Sequence, residues 1–198
     1  MKKNGVIILA AGSSSRLGRP KQTLTLNKQT LLHRMLNAAT VLNCGPVIIV
    51  LGANAQLINQ NYKDAHTVIN ENWQQGMGSS ISCGLKKLLE IVPDAEGVFI
   101  TVCDQPYVTH LLLQKILDTQ QQSNLPIVAS SYGDVVGTPA LFHQTVFKEL
   151  LQLAEDKGAR QIINKHKNRV AVVDFPLGSV DVDTEEDYAR LLQNEKND

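Results

Sequence analysis

Short runs rich in valine and isoleucine recur along this chain, and they constrain its fold more than any other feature. The clear examples are GVIIL (5–9), PVIIVL (46–51), GVFITVC (97–103), PIVAS (126–130) and RVAVVDF (169–175), with TVIN (67–70) as a weaker one. Each run is nearly continuous and does not alternate between apolar and polar residues. This pattern is typical of strands that are covered on both faces.

Amphipathic helical patterns separate these runs. Apolar stripes predict helices over 30–42, over 79–92 and around 112–117, and further candidates are 144–154, 159–166 and 184–194. Strands that alternate with helices predict the α/β class, with a mostly parallel central sheet sandwiched by helices. In such sheets ligands bind outside the carboxyl ends of the strands, so the candidate functional residues are those that follow each run.

Composition limits the number of domains and the class of partner. The 198 residues fit a single domain spanning 1–198, and 43% hydrophobic with 19% charged residues is ordinary for a globular chain. The formal net charge of +0 gives no basic footprint for nucleic acid or for an anionic membrane. No apolar stretch approaches the roughly 18 residues that a membrane span needs. We therefore expect neither nucleic acid nor a membrane as a partner.

Cysteine usage and the amino terminus bear on the cellular compartment. The three cysteines, Cys44, Cys83 and Cys103, form no CxxC pair, which disfavours a disulfide framework and a structural zinc site. The apolar stretch from Val6 to Ala11 is shorter than the roughly 7–15 residues of a secretory signal core. A reduced, cytoplasmic setting is the expectation.

The segment that follows the first run, GSSSRLGRPK (12–21), has the character of an anion-binding loop. Glycine permits close backbone approach, and successive backbone N–H groups can form a nest for an anion. Arg16, Arg19 and Lys21 add positive charge that suits a polyphosphate. The spacing matches neither GxxxxGK[ST] nor GxGxxG. The alternative is a plain strand-to-loop turn with solvated cations.

Acidic residues stand at two further points where chemistry is expected. Asp104 ends the run GVFITVC, so its carboxylate is placed to hold Mg²⁺; the alternative is an Asp that caps the turn set by Pro106. Asp181 and Asp183 alternate along an extended segment, so they share a face and both can approach a cation. The alternative there is an ordinary helix start at Asp183 or Thr184, followed by acidic residues.

The segment WQQGMGSSISCGL (73–85) has the pattern of a loop that leads into a helix. Ser79 or Ser80 is the predicted N-cap. The free N–H groups at such a position can accept a phosphate or a group on the ribose side of a nucleotide. Capping without any ligand is the alternative.

Taken together, these segments resemble the nucleotidyltransferases of molybdenum cofactor biosynthesis, the MobA-like family, over nearly the whole chain. LAAGSSSRLGRPK resembles the family's LAAGxSxRMGxxK, GMGSSISCGL its GMxxSLxxGL, and DQP its metal-binding acidic motif. GTPALF (137–142), DKGAR (156–160) and DVDTEEDY (181–188) match later motifs. The ordered set is much more specific than the first motif, which many nucleotidyltransferases share. It implies a Rossmann-like nucleotidyltransferase fold.

The resemblance also implies a role for each matched residue. Arg16, Lys21 and Asp104 are expected to be catalytic, with Arg16 and Lys21 neutralising the triphosphate of the substrate. Mg²⁺ is expected on Asp104, together with Asp183 or Asp181. The nucleotide-binding residues that it implies are Leu9, Ala10, Ala11, Gly12, Ser14, Gly18, Ser79, Ser80 and Gly84.

The implied reaction is transfer of CMP from CTP to the terminal phosphate of a molybdopterin-type cofactor, with release of pyrophosphate. AAG after the first strand resembles the cytidylyl-transferring branch, whereas guanylyl-transferring relatives tend to carry AGG; Ala11 then narrows the base pocket and favours a pyrimidine. A molybdoenzyme or its chaperone is the implied protein partner. Thr138 stands where relatives often have His, which leaves the acceptor open. The alternatives are GTP as donor, a sugar or polyol phosphate as acceptor, or a non-catalytic cofactor-insertion chaperone.

Overall fold

The computed structural model describes residues 3–58, 62–153 and 157–194. Its strands are β1 (Asn4–Ala10), β2 (Thr25–Leu26), β3 (Gln29–Thr30), β4 (Val47–Leu51), β5 (His66–Ile69), β6 (Gly97–Val102), β7 (Ile127–Tyr132), β8 (Val135–His143) and β9 (Val170–Asp174). Its helices are α1 (Leu31–Leu42), α2 (Met77–Ile91), α3 (His110–Ser123), α4 (Phe147–Leu151), α5 (Arg160–Lys165) and α6 (Glu185–Asn194).

The main sheet has the strand order β5-β4-β1-β6-β8-β7-β9. Strand β1 pairs in parallel with both β4 and β6, and the pairs β4/β5 and β7/β9 are parallel too. Strand β8 is antiparallel to both of its neighbours. The expected α/β architecture, with a mostly parallel sheet between helices, is confirmed. Because the chain moves from β1 to β4 on one side and later to β6 on the other, a crevice forms between the carboxyl ends of β1 and β6.

Sequence patterns did not predict strand β8. Gly137 and Pro139 interrupt its apolar residues, and proline is normally confined to sheet edges and bulges. The structure places the interruption at a shift in register: Ala129 pairs with Ala140, but Ser130 pairs with Gly137. Pro139 is therefore accommodated in a bulge, and its carbonyl accepts a hydrogen bond from Ser130 Oγ at 2.8 Å.

Two apolar layers cover the sheet, and β1 contributes to both. Val6, Ile8 and Ala10 pack into the layer formed with α1 and α3. Ile7 and Leu9 face the opposite layer, which contains α2, α4 and α5. Successive side chains of a strand point to opposite faces, so a strand with both faces buried needs apolar residues at every position. This is why the first run is continuous.

A third, smaller apolar cluster joins the loop after β1 to the last helix. Its buried members are Leu17, Leu24, Leu26, Leu31, Val182 and Leu191. Tyr188 of α6 packs against them and donates a hydrogen bond from its hydroxyl to the Thr25 carbonyl at 2.7 Å. The segment that contains Asp181 and Asp183 is thereby held against the first loop.

The predicted helices form with small shifts at their ends. Thr30 caps α1 and Thr109 caps α3, and each side chain accepts a hydrogen bond from a backbone N–H of the first turn. The candidate 144–154 divides into a short 3-10 turn and α4, and its last residue, Ala154, lies outside the described residues. The longest helix here is α2, with 15 residues. Within the described ranges, no helix is both long and apolar enough to cross a membrane.

The start of α2 corrects the capping prediction. The helix begins at Met77, and Gly76 takes the N-cap position with a φ of 102°. Ser79 and Ser80 lie inside the first turn, so neither is the cap. Glycine reaches this backbone conformation without strain, which lets the helix start earlier than a serine cap would allow.

Glu149 links α4 to the end of α5, and its removal should lower stability. It accepts hydrogen bonds from Lys165 Nζ at 2.6 Å and His166 Nε2 at 2.8 Å. The hydrogen bond from Lys165, then that from His166, lowers the pKa of Glu149. The stabilisation is present above the unfolded-state pKa of about 4.3 and is lost as the pH falls through the folded-state value.

We expect Glu149→Gln to lower the free energy of unfolding by about 0.5–1 kcal/mol at pH 7, because the pair is partly exposed to water. Urea denaturation at pH 7 and at about pH 3.5 checks this. The difference between variant and wild type should shrink at the lower pH. An equal difference at both values would show that the charge of Glu149 is not the cause.

Candidate active site

A cavity of about 540 Å³ opens at the carboxyl ends of β1 and β6. It is lined by Leu9, Ala10, Ala11, Gly12, Ser13, Lys21, Gln22, Trp73, Gln74, Gly76, Met77, Ser80, Val102, Cys103, Asp104, Asp181 and Asp183. This is the crevice where ligands bind in open α/β sheets. A larger cleft of about 810 Å³ runs along the outer face of α2, but none of these acidic residues lines it. The smaller cavity is therefore the candidate site.

The loop after β1 folds back on itself and fixes the position of Lys21. Ser14 has a φ of 55°, and its carbonyl accepts hydrogen bonds from the N–H groups of Leu17 and Gly18. Its hydroxyl oxygen accepts the backbone N–H of Lys21 at 3.1 Å. Gly18 also has a positive φ, of 72°. Ser14 and Gly18 thus shape the loop, while Ala10, Ala11 and Gly12 border the cavity.

Four of the predicted catalytic and metal-binding residues form one connected cluster. Lys21 Nζ donates to Asp104 Oδ2 at 2.9 Å and to Asp183 Oδ1 at 2.5 Å. Arg16 donates to the other oxygen of Asp183 at 2.7 Å. The side chain of Lys21 is only 13% exposed, whereas that of Arg16 is 71% exposed. The structure therefore brings together residues that lie far apart in the sequence.

The charges in this cluster shift one another's protonation. Burial disfavours the charged form of Lys21, but Asp104 and Asp183 outweigh it and raise the Lys21 pKa. The hydrogen bond from Lys21 lowers the pKa of Asp183. Asp181 behaves differently, because burial and then the negative charges of Asp183 and Asp104 raise its pKa. At neutral pH, Lys21 remains an ammonium group between carboxylates.

Backbone contacts hold the two late acidic residues at the cavity. The N–H of Val182 donates to the Asp104 carbonyl at 3.2 Å, and the Val182 side chain is fully buried. Asp181 and Asp183 on either side of it line the cavity, as the alternating pattern predicted. Thr184 Oγ1 accepts the N–H of Asp187 at 3.1 Å, which confirms the predicted helix start at this position.

The first turn of α2 forms the side of the cavity that faces the acidic residues. Of the three α2 residues predicted to bind the nucleotide, Ser80 alone lines the cavity. Ser80 lines the cavity, and its hydroxyl accepts a hydrogen bond from Asn70 Nδ2 at 3.0 Å. Ser79 lies on the larger cleft, where it donates to the Gly76 carbonyl at 2.8 Å. Gly84 does not reach the cavity. It packs against β1 and β4, where an added Cβ would lie 2.8 Å from both Ile7 Cγ2 and Val50 Cγ2.

Gln22 and Trp73 are among the cavity residues that the sequence did not assign to the site. Gln22 is buried, and its Nε2 donates to the Ala10 carbonyl at 2.7 Å, which ties the loop to the end of β1. Trp73 is the only tryptophan of the chain, and it lines the cavity beside Ala11. Their positions in the sequence could have indicated both residues. Gln22 directly follows Lys21, and Trp73 begins the segment that leads into α2.

The donor set fits a divalent cation that arrives with its own ligands. Over residues 3–58, 62–153 and 157–194, no three His, Cys, Asp or Glu side chains are grouped to hold a metal ion. Asp104 and Asp183, however, both direct an oxygen toward the position of Lys21 Nζ. Mg²⁺ is usually bound through one or two carboxylates plus substrate phosphates and water. The two carboxylates are therefore suited to a Mg²⁺ that is shared with a nucleotide.

Several known proteins are similar to this chain over nearly its whole length. Nicotine blue oxidoreductase of Paenarthrobacter nicotinovorans is 30% identical, over 94% of this chain and 95% of its own. The crystal structure of Rv0371c from Mycobacterium tuberculosis has a TM-score of 0.83 and 32% identity, covering 96% of this chain and 98% of that one. The structure of Rv0371c in complex with manganese has a TM-score of 0.78 and 30% identity, with the same coverage.

Family membership follows from the extent of the match. Residues 6–170 match the MobA-like NTP transferase domain. The matched part contains the loop with Arg16 and Lys21, strand β6 and Asp104, whereas Asp181 and Asp183 lie beyond it. The chain belongs to the MobA-like NTP transferase family, and it is an enzyme of the nucleotidyltransferase type.

Proposed function

We propose that this protein transfers CMP from CTP to the terminal phosphate of a molybdopterin-type cofactor in a Mg²⁺-dependent reaction that releases pyrophosphate. The observation that carries the proposal is the cluster of Lys21, Asp104 and Asp183 at the edge of the cavity between β1 and β6. A cation and two carboxylates beside a backbone loop suit a triphosphate and its metal ion. The MobA-like family supports the choice of acceptor.

The proposed chemistry needs positioning more than acid–base catalysis. An anionic oxygen of the acceptor phosphate attacks the α-phosphorus of CTP, and the bond from that phosphorus to the β-phosphate oxygen breaks. The electron pair leaves with pyrophosphate. Arg16 and Lys21 stabilise the negative charge that grows on the leaving group. When bound, Mg²⁺ would supply further positive charge next to the phosphate oxygens, held by Asp104 with Asp183 or Asp181.

The preference for CTP rests on the position of Ala11. Its carbonyl accepts the N–H of Ala53 at 3.1 Å, and its Cβ lies 2.9 Å from the point that a Cβ on Gly52 would occupy. Ala11 is therefore held between Gly52 and the cavity and cannot retreat from a bound base. A methyl group at this position leaves less room than glycine, which favours a pyrimidine over a purine.

We expect CTP to bind about tenfold more tightly than GTP in the presence of Mg²⁺, and Ala11→Gly to reduce that ratio. Trp73 allows a direct measurement, because the fluorescence of the only tryptophan reports on the cavity. Ala171→Gly, on the edge strand β9 and away from the cavity, is the matched control. Equal affinity for the two nucleotides would remove the preference for CTP, while transfer itself could still be present.

The decisive test of the reaction is pyrophosphate release in the presence of CTP, Mg²⁺ and a molybdopterin-type acceptor. We expect release that depends on the acceptor and is much weaker with GTP. Release with a sugar or polyol phosphate alone would reassign the acceptor. Tight nucleotide binding with no pyrophosphate under any condition would instead favour a cofactor-insertion chaperone that hands its ligand to a molybdoenzyme.

A second candidate is an oxidoreductase activity, because the relative in Paenarthrobacter nicotinovorans carries the name nicotine blue oxidoreductase. Hydride transfer does not require a lysine between two carboxylates, so the site geometry favours nucleotidyl transfer. Pyridine-nucleotide oxidation in the same preparation separates the two. Oxidation of NADH or NADPH with nicotine blue as the electron acceptor, if it survives Lys21→Ala and the wild type releases no pyrophosphate, would support the second candidate.

A further inference from the structure

Lys21 occupies the position at which the two metal-binding carboxylates converge. Its Nζ bonds to one oxygen of Asp104 and to one oxygen of Asp183, and its side chain is largely buried. An ammonium nitrogen and a divalent cation cannot fill the same space between the same oxygens. Lys21 Nζ therefore stands between the two carboxylates that the proposed metal ion would use.

We propose that Lys21 is a tethered cation that closes the metal site until the phosphates of a nucleotide draw it away. This inference rests on the proposed function, since it assigns the same carboxylates to the metal ion. It adds an order of events: the divalent cation enters together with the nucleotide and not before it. Lys21 thus serves two anionic partners in turn, first the carboxylates and then the phosphates.

The local structure permits this exchange. Ser14 Oγ fixes the backbone of Lys21, and Gln22 fixes the loop to Ala10, so the main chain stays in place. The lysine side chain has four flexible methylenes, which allow its ammonium group to move by several ångströms from a fixed backbone. Arg16 is mostly exposed and bonds to Asp183, and among the ion pairs of the described residues only Lys21 pairs with Asp104.

Neutralising the lysine should therefore improve metal binding while it damages catalysis. We would measure binding of Mn²⁺ alone by electron paramagnetic resonance, without nucleotide, to wild type, Lys21→Met and Lys21→Gln. We expect both variants to bind Mn²⁺ at least about tenfold more tightly than wild type, because the competing charge is gone. Lys115→Met, an exposed lysine on α3, is the matched control and should behave as wild type.

The nucleotide dependence gives a second, independent readout. CTP should tighten Mn²⁺ binding strongly in wild type and only slightly in the two variants. Lys21→Gln keeps hydrogen-bond donors for the carboxylates, so it remains informative if Lys21→Met does not fold. Mn²⁺ binding that is equal to or weaker than in wild type, in a folded Lys21 variant, would overturn the inference.

This experiment separates the inference from the proposed function. Tighter Mn²⁺ binding in the variants, with no pyrophosphate release by wild type, would support the tethered cation and refute CMP transfer. Normal pyrophosphate release by wild type, with unchanged Mn²⁺ affinity in the variants, would support CMP transfer and refute the tethered cation.

Discussion

Replacement of Asp104 by asparagine is expected to slow nucleotidyl transfer by about 10²–10³-fold while the fold is retained. The substitution keeps the shape of the side chain and removes its charge. Asp104 stands at the carboxyl end of the central strand β6 and bonds directly to Lys21 Nζ. Its loss removes one of the carboxylates available to the metal ion and leaves Lys21 paired with Asp183 alone.

Steady-state pyrophosphate release at saturating CTP and Mg²⁺ measures this effect. Thermal unfolding followed by circular dichroism confirms that the variant is folded. Asp118→Asn, a carboxylate on α3 that bonds only to Gln114 among the contacts described, is a matched control and should retain full turnover. Near-normal turnover of a folded Asp104→Asn variant would exclude Asp104 from the reaction.

Gly84→Ala should lower stability while it leaves the cavity untouched. An alanine Cβ would lie 2.8 Å from the methyl groups of Ile7 and Val50, so α2 must shift away from the sheet. Overpacking of this kind typically costs about 1–3 kcal/mol, and the better helix propensity of alanine offsets at most about 1 kcal/mol. We expect a net loss of about 1–2 kcal/mol in the free energy of unfolding.

Urea denaturation gives that free energy, and the fluorescence of Trp73 gives the affinity for CTP in the same preparation. Lys86→Ala, on the exposed side of α2, is the control and should change neither quantity. The affinity of Gly84→Ala for CTP should remain within a few-fold of wild type. If the variant were as stable as wild type but did not bind CTP, Gly84 would belong to the nucleotide site after all.

The strands that could be predicted from the sequence are those with a distinctive apolar pattern of their own. Strands buried on both faces need apolar residues at every position, which made β1, β4 and β6 visible as continuous runs. Strand β8 was missed because Pro139 is tolerated only through a bulge in the pairing with β7. Such a bulge depends on the pairing with the partner strand, so the residues of β8 alone do not predict it.

The position of the site could be predicted because its residues follow the carboxyl ends of parallel strands. Lys21 and Asp104 are 83 residues apart, yet each follows a parallel strand, and such strands end at the same edge of a sheet. The bond of Lys21 to the carboxylates was not predicted. Sequence motifs reveal which charges are present, but the pairing of those charges without a ligand depends on distances in three dimensions. Gln22 escaped for a related reason, because its partner is a backbone carbonyl.

The small apolar cluster that joins the first loop to α6 has a consequence for biosynthesis. Residues near the two ends of the chain, Leu17 and Leu191, share this cluster, and Val182 in its centre carries Asp181 and Asp183 to the cavity. On the ribosome, the loop with Lys21 emerges long before these acids. A nascent chain, or one trimmed by a protease before residue 180, can therefore contain every strand of the sheet and still lack Asp181 and Asp183. Removal of residues 180–194 would take Asp181, Asp183 and α6 from the protein together, while all strands of the sheet remain in the chain.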